Sequence, residues 1–327
     1  MNRIFVYEYL SAGGEMAAEA TGELLSMGES MRDAVVADLL RLESYHVSVA
    51  TCKQAAPPPQ PARAVTPHDA ESALHFVQRQ AAAHDLSWVI APETDGLLAQ
   101  LHACVPAGSW LGCDAASIAL ATHKHRTLAA LTAAGIATPL AFEHAPDTAR
   151  WVVKPDDGAG AVATRVHRQR QAARDDAIAR ARAGASVTLE PWVEGEALSL
   201  SLLCGAQRCD LLCVNRQQID VDALGQLTFR GVVVNALPRG DAGTAQLAQL
   251  AALAARVQRA LPGLRGFVGI DLVWHAQRGP VVIEVNPRVT CAYVGLSRQL
   301  GRNLAGEVIA AVRGDAALMT KLAHDHA

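Results

Sequence analysis

Apolar residues recur along this chain in two rhythms. Short runs rich in Val and Ile at 4–9 and 47–50, with a third at 88–92, alternate with stretches near 28–43, 69–84 and 94–104 where apolar residues return every three or four positions. The first rhythm is that of strands and the second that of helices, and their β-α-β-α-β-α alternation predicts a small parallel sheet. The proline-rich run from 55 to 61 reads as a stiff, exposed connector. Because it lies inside the alternation, it is a surface loop and not a domain boundary. The first boundary is expected near 108, making 1–108 an N-terminal α/β domain. A helix pattern over 114–134 and strands around Lys154 and Thr164 then form a central lobe, 109–186. From 187 to 327 strands alternate with a helix at 242–260 and end with a helix at 303–313.

One strand pair carries more chemistry than the rest. Gly269-Ile270-Asp271-Leu272-Val273 and Val281-Val282-Ile283-Glu284-Val285 flank the turn Gln277-Arg278-Gly279-Pro280 and read as a hairpin, continued by Asn286-Pro287-Arg288. Side chains alternate along a strand, so Glu284 and Asn286 share a face, where each can offer oxygen to one hard cation. Asp271 joins them from the neighbouring strand, and Arg288 can reach the same phosphate cluster. The plainer reading is a half-buried hairpin with polar residues facing water, but that leaves the register of two acids, an amide and an arginine unexplained.

Upstream, Trp151-Val152-Val153-Lys154-Pro155 reads as a short buried strand that ends in a lysine. It leads into Asp156-Asp157-Gly158-Ala159-Gly160-Ala161, a loop of small residues whose amides can approach phosphate oxygens. This is not a P-loop, because the lysine precedes the glycines. Asp156 and Asp157 can cap a turn or belong to a mobile flap. Lys124 lies near the start of an apolar helix pattern; taken singly, each lysine would pass for a surface charge. The segment Val187-Thr188-Leu189-Glu190-Pro191-Trp192-Val193-Glu194-Gly195-Glu196 runs from a strand into an acid-flanked turn, which can present backbone groups to an adenine edge and a carboxylate to ribose hydroxyls.

The ordered set Lys124, Lys154 with its glycine loop, Glu190 to Val193, Glu196, Asp271, Glu284 and Asn286 resembles the ATP-grasp superfamily over roughly residues 110–315. The resemblance implies an α/β fold with a small N-terminal parallel lobe followed by two α+β lobes that clamp ATP. It implies that Lys124 and Lys154 contact the phosphates, with Asp157, Gly158, Ala159, Gly160 and Ala161 as the flap over them. Glu190, Trp192 and Val193 would hold adenine and Glu196 the ribose. Asp271, Glu284 and Asn286 would bind magnesium, as two ions that manganese can replace, and Arg288 with Lys154 would serve the transferring phosphoryl group. Ile4-Phe5-Val6-Tyr7-Glu8-Tyr9 with Ser11-Ala12-Gly13-Gly14, and Asn286-Pro287-Arg288-Val289-Thr290 with Val294-Gly295-Leu296, are similar to the tyramine–glutamate ligase family of methanofuran and methylofuran biosynthesis. Cys291-Ala292-Tyr293 departs from the small hydroxyl residues expected there.

That resemblance implies an ADP-forming ligase for small-molecule substrates, an amino acid and an amine, with a homodimer as a compatible state. The alternatives are a ligase for another amino acid or dipeptide, a carboxyl-phosphate-forming kinase, and a non-catalytic nucleotide-binding protein. The last is disfavoured, since a binding module needs no phosphoryl-transfer charges. No nucleophilic side chain stands out, and an acyl phosphate attacked by an amine needs none; it needs alignment and charge neutralisation. For the amino-acid pocket, ligands of open α/β sheets bind beyond the carboxyl ends of strands, which makes Glu8, Tyr9, Gly13 and Gly14 candidates. Arg230 is a candidate for a carboxylate that is not activated. Glu8 can equally pair with an arginine, and Arg230 can be a solvated strand residue.

Composition narrows the class. At 327 residues and 50% apolar content the chain can bury a core of two or three lobes, and no apolar run approaches the roughly 20 residues of a membrane span. A net charge of −3 and 4% aromatic residues give no basic, aromatic-interleaved surface for nucleic acid. The N-terminus reads as a strand with no leader pattern. Seven cysteines, an odd number, argue against a disulfide framework and for a reducing, cytoplasmic compartment. Cys204, Cys209 and Cys213 lack metal-ligand spacing and read as core cysteines, and His324-Asp325-His326 reads as a frayed tail.

Overall fold

The computed structural model describes residues 2–14, 22–145, 148–237, 241–315 and 318; the terminal His324-Asp325-His326 lies outside them. The chain opens with β1 (Asn2–Glu8), α1 (Gly22–Leu40), β2 (Tyr45–Ala50), β3 (Arg63–Val65), α2 (Ala73–Ala83), β4 (Leu86–Ile90) and α3 (Leu97–Ala103). These strands form one sheet in the order β3-β2-β1-β4, every pair parallel. Ile4 to Tyr7 are at most 1% exposed, as expected of a central parallel strand covered on both faces. β3 has no apolar run to announce it; two of its three residues are exposed.

Next come α4 (Ala115–Thr122) and α5 (Lys124–Ala133), where a single helix over 114–134 is expected. His123 separates them, with extended backbone at φ −97°, ψ 103°. The break makes Lys124 the first residue of a new helix. The chain continues with β5 (Trp151–Pro155), β6 (Arg165–His167), α6 (Arg170–Arg182), β7 (Val187–Pro191), β8 (Glu196–Cys204), β9 (Cys209–Val221), β10 (Leu227–Val233), α7 (Asp241–Ala260), β11 (Gly266–His275), β12 (Gly279–Asn286), α8 (Leu296–Leu300) and α9 (Leu304–Arg313). β6-β5-β7 form a small antiparallel sheet, so the division expected at 186/187 falls inside it. The remaining strands form a five-stranded antiparallel sheet, β10-β9-β8-β11-β12.

Two large cores join the first lobe to the five-stranded sheet. One packs Phe5, Tyr7 and Phe76 with Leu198, Leu200, Val268 and Leu250. The other packs Val35 and Leu39 of α1 with Phe267, Tyr293 and Leu304. The small sheet has a separate minor core of Trp151, Val153 and Ala173. It is held to the large sheet by the tip of the β9–β10 hairpin: the Val166 amide donates to Gly225 O (2.8 Å) and the Leu227 amide to Thr164 O (3.0 Å). Gly225, at φ +82°, permits this approach, since a Cβ there would lie 2.1 Å from Val166 O.

Candidate active site

β11 and β12 are antiparallel neighbours in which Asp271 stands directly opposite Glu284, and Gly269 opposite Asn286. Asp271, Glu284 and Asn286 therefore share one face, as the two-residue period requires. Gly269 leaves room for Thr290, whose Cγ2 would lie 2.7 Å from a Cβ added there. Asn286 Nδ2 donates to Asp271 Oδ2 (3.2 Å), and Gln217 Nε2 of β9 donates to Oδ1 (2.8 Å). Burial, and after it the charge of Glu284, pushes the Asp271 carboxyl up to about 7. Two facing carboxylates with an amide beside them suit a hard divalent cation. Among the described residues no three His, Cys, Asp or Glu side chains form a metal cage. Three protein ligands at most suit magnesium, which keeps waters and shares phosphate oxygens.

Lys124 reaches the same face from α5. Its side chain is 8% exposed, and its Nζ lies 3.1 Å from Glu284 Oε1 and donates to Gly158 O at 2.8 Å. Burial, the largest single influence, pulls its pKa down, but Glu284, then Glu93 and Asp157, together outweigh it, and the pKa is raised. Asp156 fixes the start of that helix. Its O accepts from the Lys124 amide (2.8 Å), and its carboxylate accepts from the His125 amide, Thr188 Oγ1 and His123 Nδ1. Of the two readings left open, Asp156 is therefore a cap, while Asp157 belongs to the loop: its Oδ2 accepts from the Asp95 amide at 2.7 Å.

Lys154 and Glu190 face each other across β5 and β7, both buried, with Nζ 2.7 Å from Oε1. Glu190 Oε2 and the neighbouring Trp192 Nε1 are buried without a hydrogen-bond partner. Buried polar atoms of this kind need a partner from outside the chain, water included, and an acceptor and a donor beside a lysine can serve a nucleotide. The Trp192 ring lies under the Arg150 guanidinium, 4.9 Å from centroid to Cζ, and Val193 packs in a small cluster with Phe142 and Val281. Glu196 opens β8, partly exposed, and pairs with Arg216 at 2.5 Å.

Arg288 is met from the first lobe. Its Nε donates to Glu93 Oε1 (2.9 Å) and its Nη2 to Glu93 Oε2 (3.0 Å), a bidentate pair with both side chains at most 10% exposed. Glu93 follows β4, and the next two residues meet the glycine loop: a Cβ on Gly158 would lie 3.1 Å from Thr94 Oγ1. Sequence reasoning missed both Glu93 and Gln217. For Glu93 a signal existed, because it stands just past the carboxyl end of a parallel strand. For Gln217, on a long strand of mixed burial, none did.

The amino-acid candidates lie at the end of β1 and in the turn after it, beside the carboxyl end of β4: Glu8 stands opposite Ile90, and the Tyr9 amide donates to Ile90 O (2.9 Å). Glu8 accepts from the Leu10 (3.2 Å) and Ser11 (2.8 Å) amides and closes a buried turn, burial raising its pKa against those bonds. Gly14 lies against the Tyr9 ring, 2.3 Å from where its Cβ would be, and Gly13 adopts φ +81°. Arg230 is exposed on β10 and paired with Asp220 at 3.0 Å. All seven cysteines are free; the Cys204 and Cys209 sulfurs meet at 2.8 Å across β8 and β9, and Cys213 donates to Asn215 Oδ1.

An ATP-grasp domain profile matches residues 121–292, and a pre ATP-grasp 3 domain profile matches 45–118. No curated protein matches the chain. Among solved structures, an ATP-grasp superfamily protein from Archaeoglobus fulgidus aligns at TM-score 0.70 and 20% identity, covering 95% of this chain and 89% of that one. VanG D-Ala:D-Ser ligase from Enterococcus faecalis aligns at TM-score 0.65 and 16% identity, covering 94% and 97%. D-alanine–D-alanine ligase from Bacillus anthracis complexed with ATP aligns at TM-score 0.62 and 14% identity, covering 99% and 100%. With the family profile spanning more than half of the chain, over the segment that contributes both lysines, the facing acids, Asn286 and Arg288, the protein belongs to the ATP-grasp family.

Proposed function

We propose that this protein is an ADP-forming carboxylate–amine ligase that joins glutamate to tyramine or tyrosine in C1-carrier cofactor (methanofuran or methylofuran) biosynthesis. The observation that carries the ligase reading is the convergence of Lys124, Asp271, Glu284 and Asn286 on one face within reach of the Arg288 charge, together with the buried Lys154–Glu190 pair. The glutamate and phenolic-amine assignment is supported by the motif resemblance at residues 4–14 and 286–296. Structural likeness to D-Ala:D-Ser and D-alanine–D-alanine ligases supports the reaction class.

In this mechanism a carboxylate oxygen of the acid attacks the γ-phosphorus of ATP, and ADP leaves. The amine, having lost its proton, then attacks the acyl carbon, and inorganic phosphate leaves as the amide forms. Lys124 and Lys154 hold phosphate oxygens; both are already buried, so little solvent must be displaced when they engage. Magnesium, held by Asp271, Glu284 and Asn286, would neutralise phosphate charge. Arg288 offers a planar fork to the transferring group, which a lysine cannot. The loop 157–161 covers the phosphates and keeps water from the acyl phosphate.

Incubation with magnesium, ATP, glutamate and hydroxylamine should give γ-glutamyl hydroxamate, and tyramine or tyrosine should replace hydroxylamine in the product. A hydroxamate from a different acid would keep the ligase and redirect the substrate. ADP release that needs no carboxylate would overturn the ligase reading.

A further inference from the structure

We propose that Glu93 is a positioning residue for Arg288, so that phosphoryl transfer in this protein depends on a carboxylate supplied by the first lobe. The inference rests on the reading of Arg288 as the group that meets the transferring phosphoryl.

An arginine carries five N–H donors. Three are committed here: Nε to Glu93 Oε1 (2.9 Å), one on Nη2 to Glu93 Oε2 (3.0 Å) and one on Nη1 to Val289 O (3.2 Å). One donor on each terminal nitrogen is left, and the parallel pair of bonds to Glu93 fixes the plane in which both lie. Without Glu93 the planar guanidinium would keep its bond to Val289 O and could turn as a unit about Cδ–Nε and the preceding side-chain torsions.

The setting argues for more than lobe adhesion. Glu93 is 4% exposed at its side chain, on the turn after β4, and its charge also acts on Lys124 from the central lobe. The segment Glu93 to Asp95 therefore touches or polarises three components of the site: Arg288, Lys124 and the glycine loop, the last through the Asp95 amide and Asp157. Adhesion between the lobes is already provided by the two shared apolar cores and by Asp38, which accepts from Tyr293 Oη (2.8 Å) and from Ser297 Oγ. A buried ion pair contributes little net stability over apolar packing, which makes geometry the better reason for placing one here.

The test uses the whole protein and a probe independent of the acid substrate. Aluminium fluoride with magnesium and ADP imitates the transferring phosphoryl, and binding is read by calorimetry with and without fluoride. Glu93→Gln should bind magnesium-ADP within about twofold of wild type and lose most of the extra affinity that fluoride confers. Its kcat should fall by about tenfold to a hundredfold, the range for removing a group that orients a reacting residue, with KM for ATP little changed. Glu93→Asp should fall between the two and serves if the glutamine variant folds poorly, as judged by melting temperature. In an Arg288→Ala background, Glu93→Gln should cost nothing further. Glu93→Gln that keeps the fluoride gain and wild-type kcat, while Arg288→Ala loses both, would overturn the inference alone. Arg288→Ala that keeps both would overturn the reading of Arg288 on which it rests.

Discussion

At the residue scale the site pairs most of its charges, Lys154 with Glu190 and Arg288 with Glu93 among them, and sets Asp271 against a second acid. Glu284 pairs with Lys124, and across the ladder it faces Asp271. Glu284→Gln should therefore reduce magnesium-ATP turnover by at least about a hundredfold while shifting the melting temperature by only a few degrees, measured by ADP release and calorimetry. Asp271 offers a pH test with a definite sign. Its carboxyl moves from the ordinary 3.8 up to about 7 on folding, so between those values the native state binds more protons than the unfolded one. Its contribution to stability is present below pH ~4 and is lost as pH rises to about 7. In chelator, Asp271→Asn should match wild type near pH 4 and become the more stable protein by on the order of 4 kcal/mol at pH 8. An unchanging difference between the two across that range would count against a strained carboxylate, and added magnesium should favour wild type. These acids were legible in the sequence because strand alternation turns local spacing into a shared face. Gln217 and Glu93 were not, since their partners Asp271 and Arg288 lie 54 and 195 residues away. Gly13, Gly14 and Glu8 have the composition of a ligand loop, and in the structure Glu8 accepts from amides of its own turn.

At the element scale, periodicity located the apolar strands and failed where hydrogen bonds decide. A continuous helix over 114–134 is compatible with every side chain in it, yet Asp156 draws off the amides at Lys124 and His125 and starts a second helix. β3 is held by parallel ladder bonds to β2 and has no hydrophobic pattern to betray it. The clasp between the β9–β10 tip and β6 is likewise made by backbone groups. Gly225→Ala meets both a left-handed conformation and Val166 O at 2.1 Å from the new Cβ. It should cost about 2 kcal/mol or more, and hydrogen exchange should report the loss first at the Val166 and Leu227 amides. Uniform loss of protection across the five-stranded sheet would mean that the clasp is not a separate contact.

At the scale of the whole molecule, the first lobe and the large sheet share two cores, while the small sheet with α6 has its own minor core and meets the rest through the clasp and through the bonds of Asp156 and Asp157 to α5 and Asp95. The small sheet carries Lys154, Glu190 and the glycine loop, so nucleotide should quiet it. We expect proteolysis within 157–163 in the free protein and protection with magnesium-ATP; equal cleavage in both states would argue against a closing lid. Among the described residues no helix is long and apolar enough to cross a membrane. Both ends of that loop are tied down, at Asp156 to α5 and Ser186, and at Thr164 to Leu227. Its span is therefore fixed while its slack is adjustable. Doubling the length of such a loop costs only about 0.6 kcal/mol, so two or three extra Gly or Ser residues after Gly160 should leave the melting temperature almost unchanged. They would slow the search for the closed state, turning loop length into a dial on turnover that folding stability does not feel.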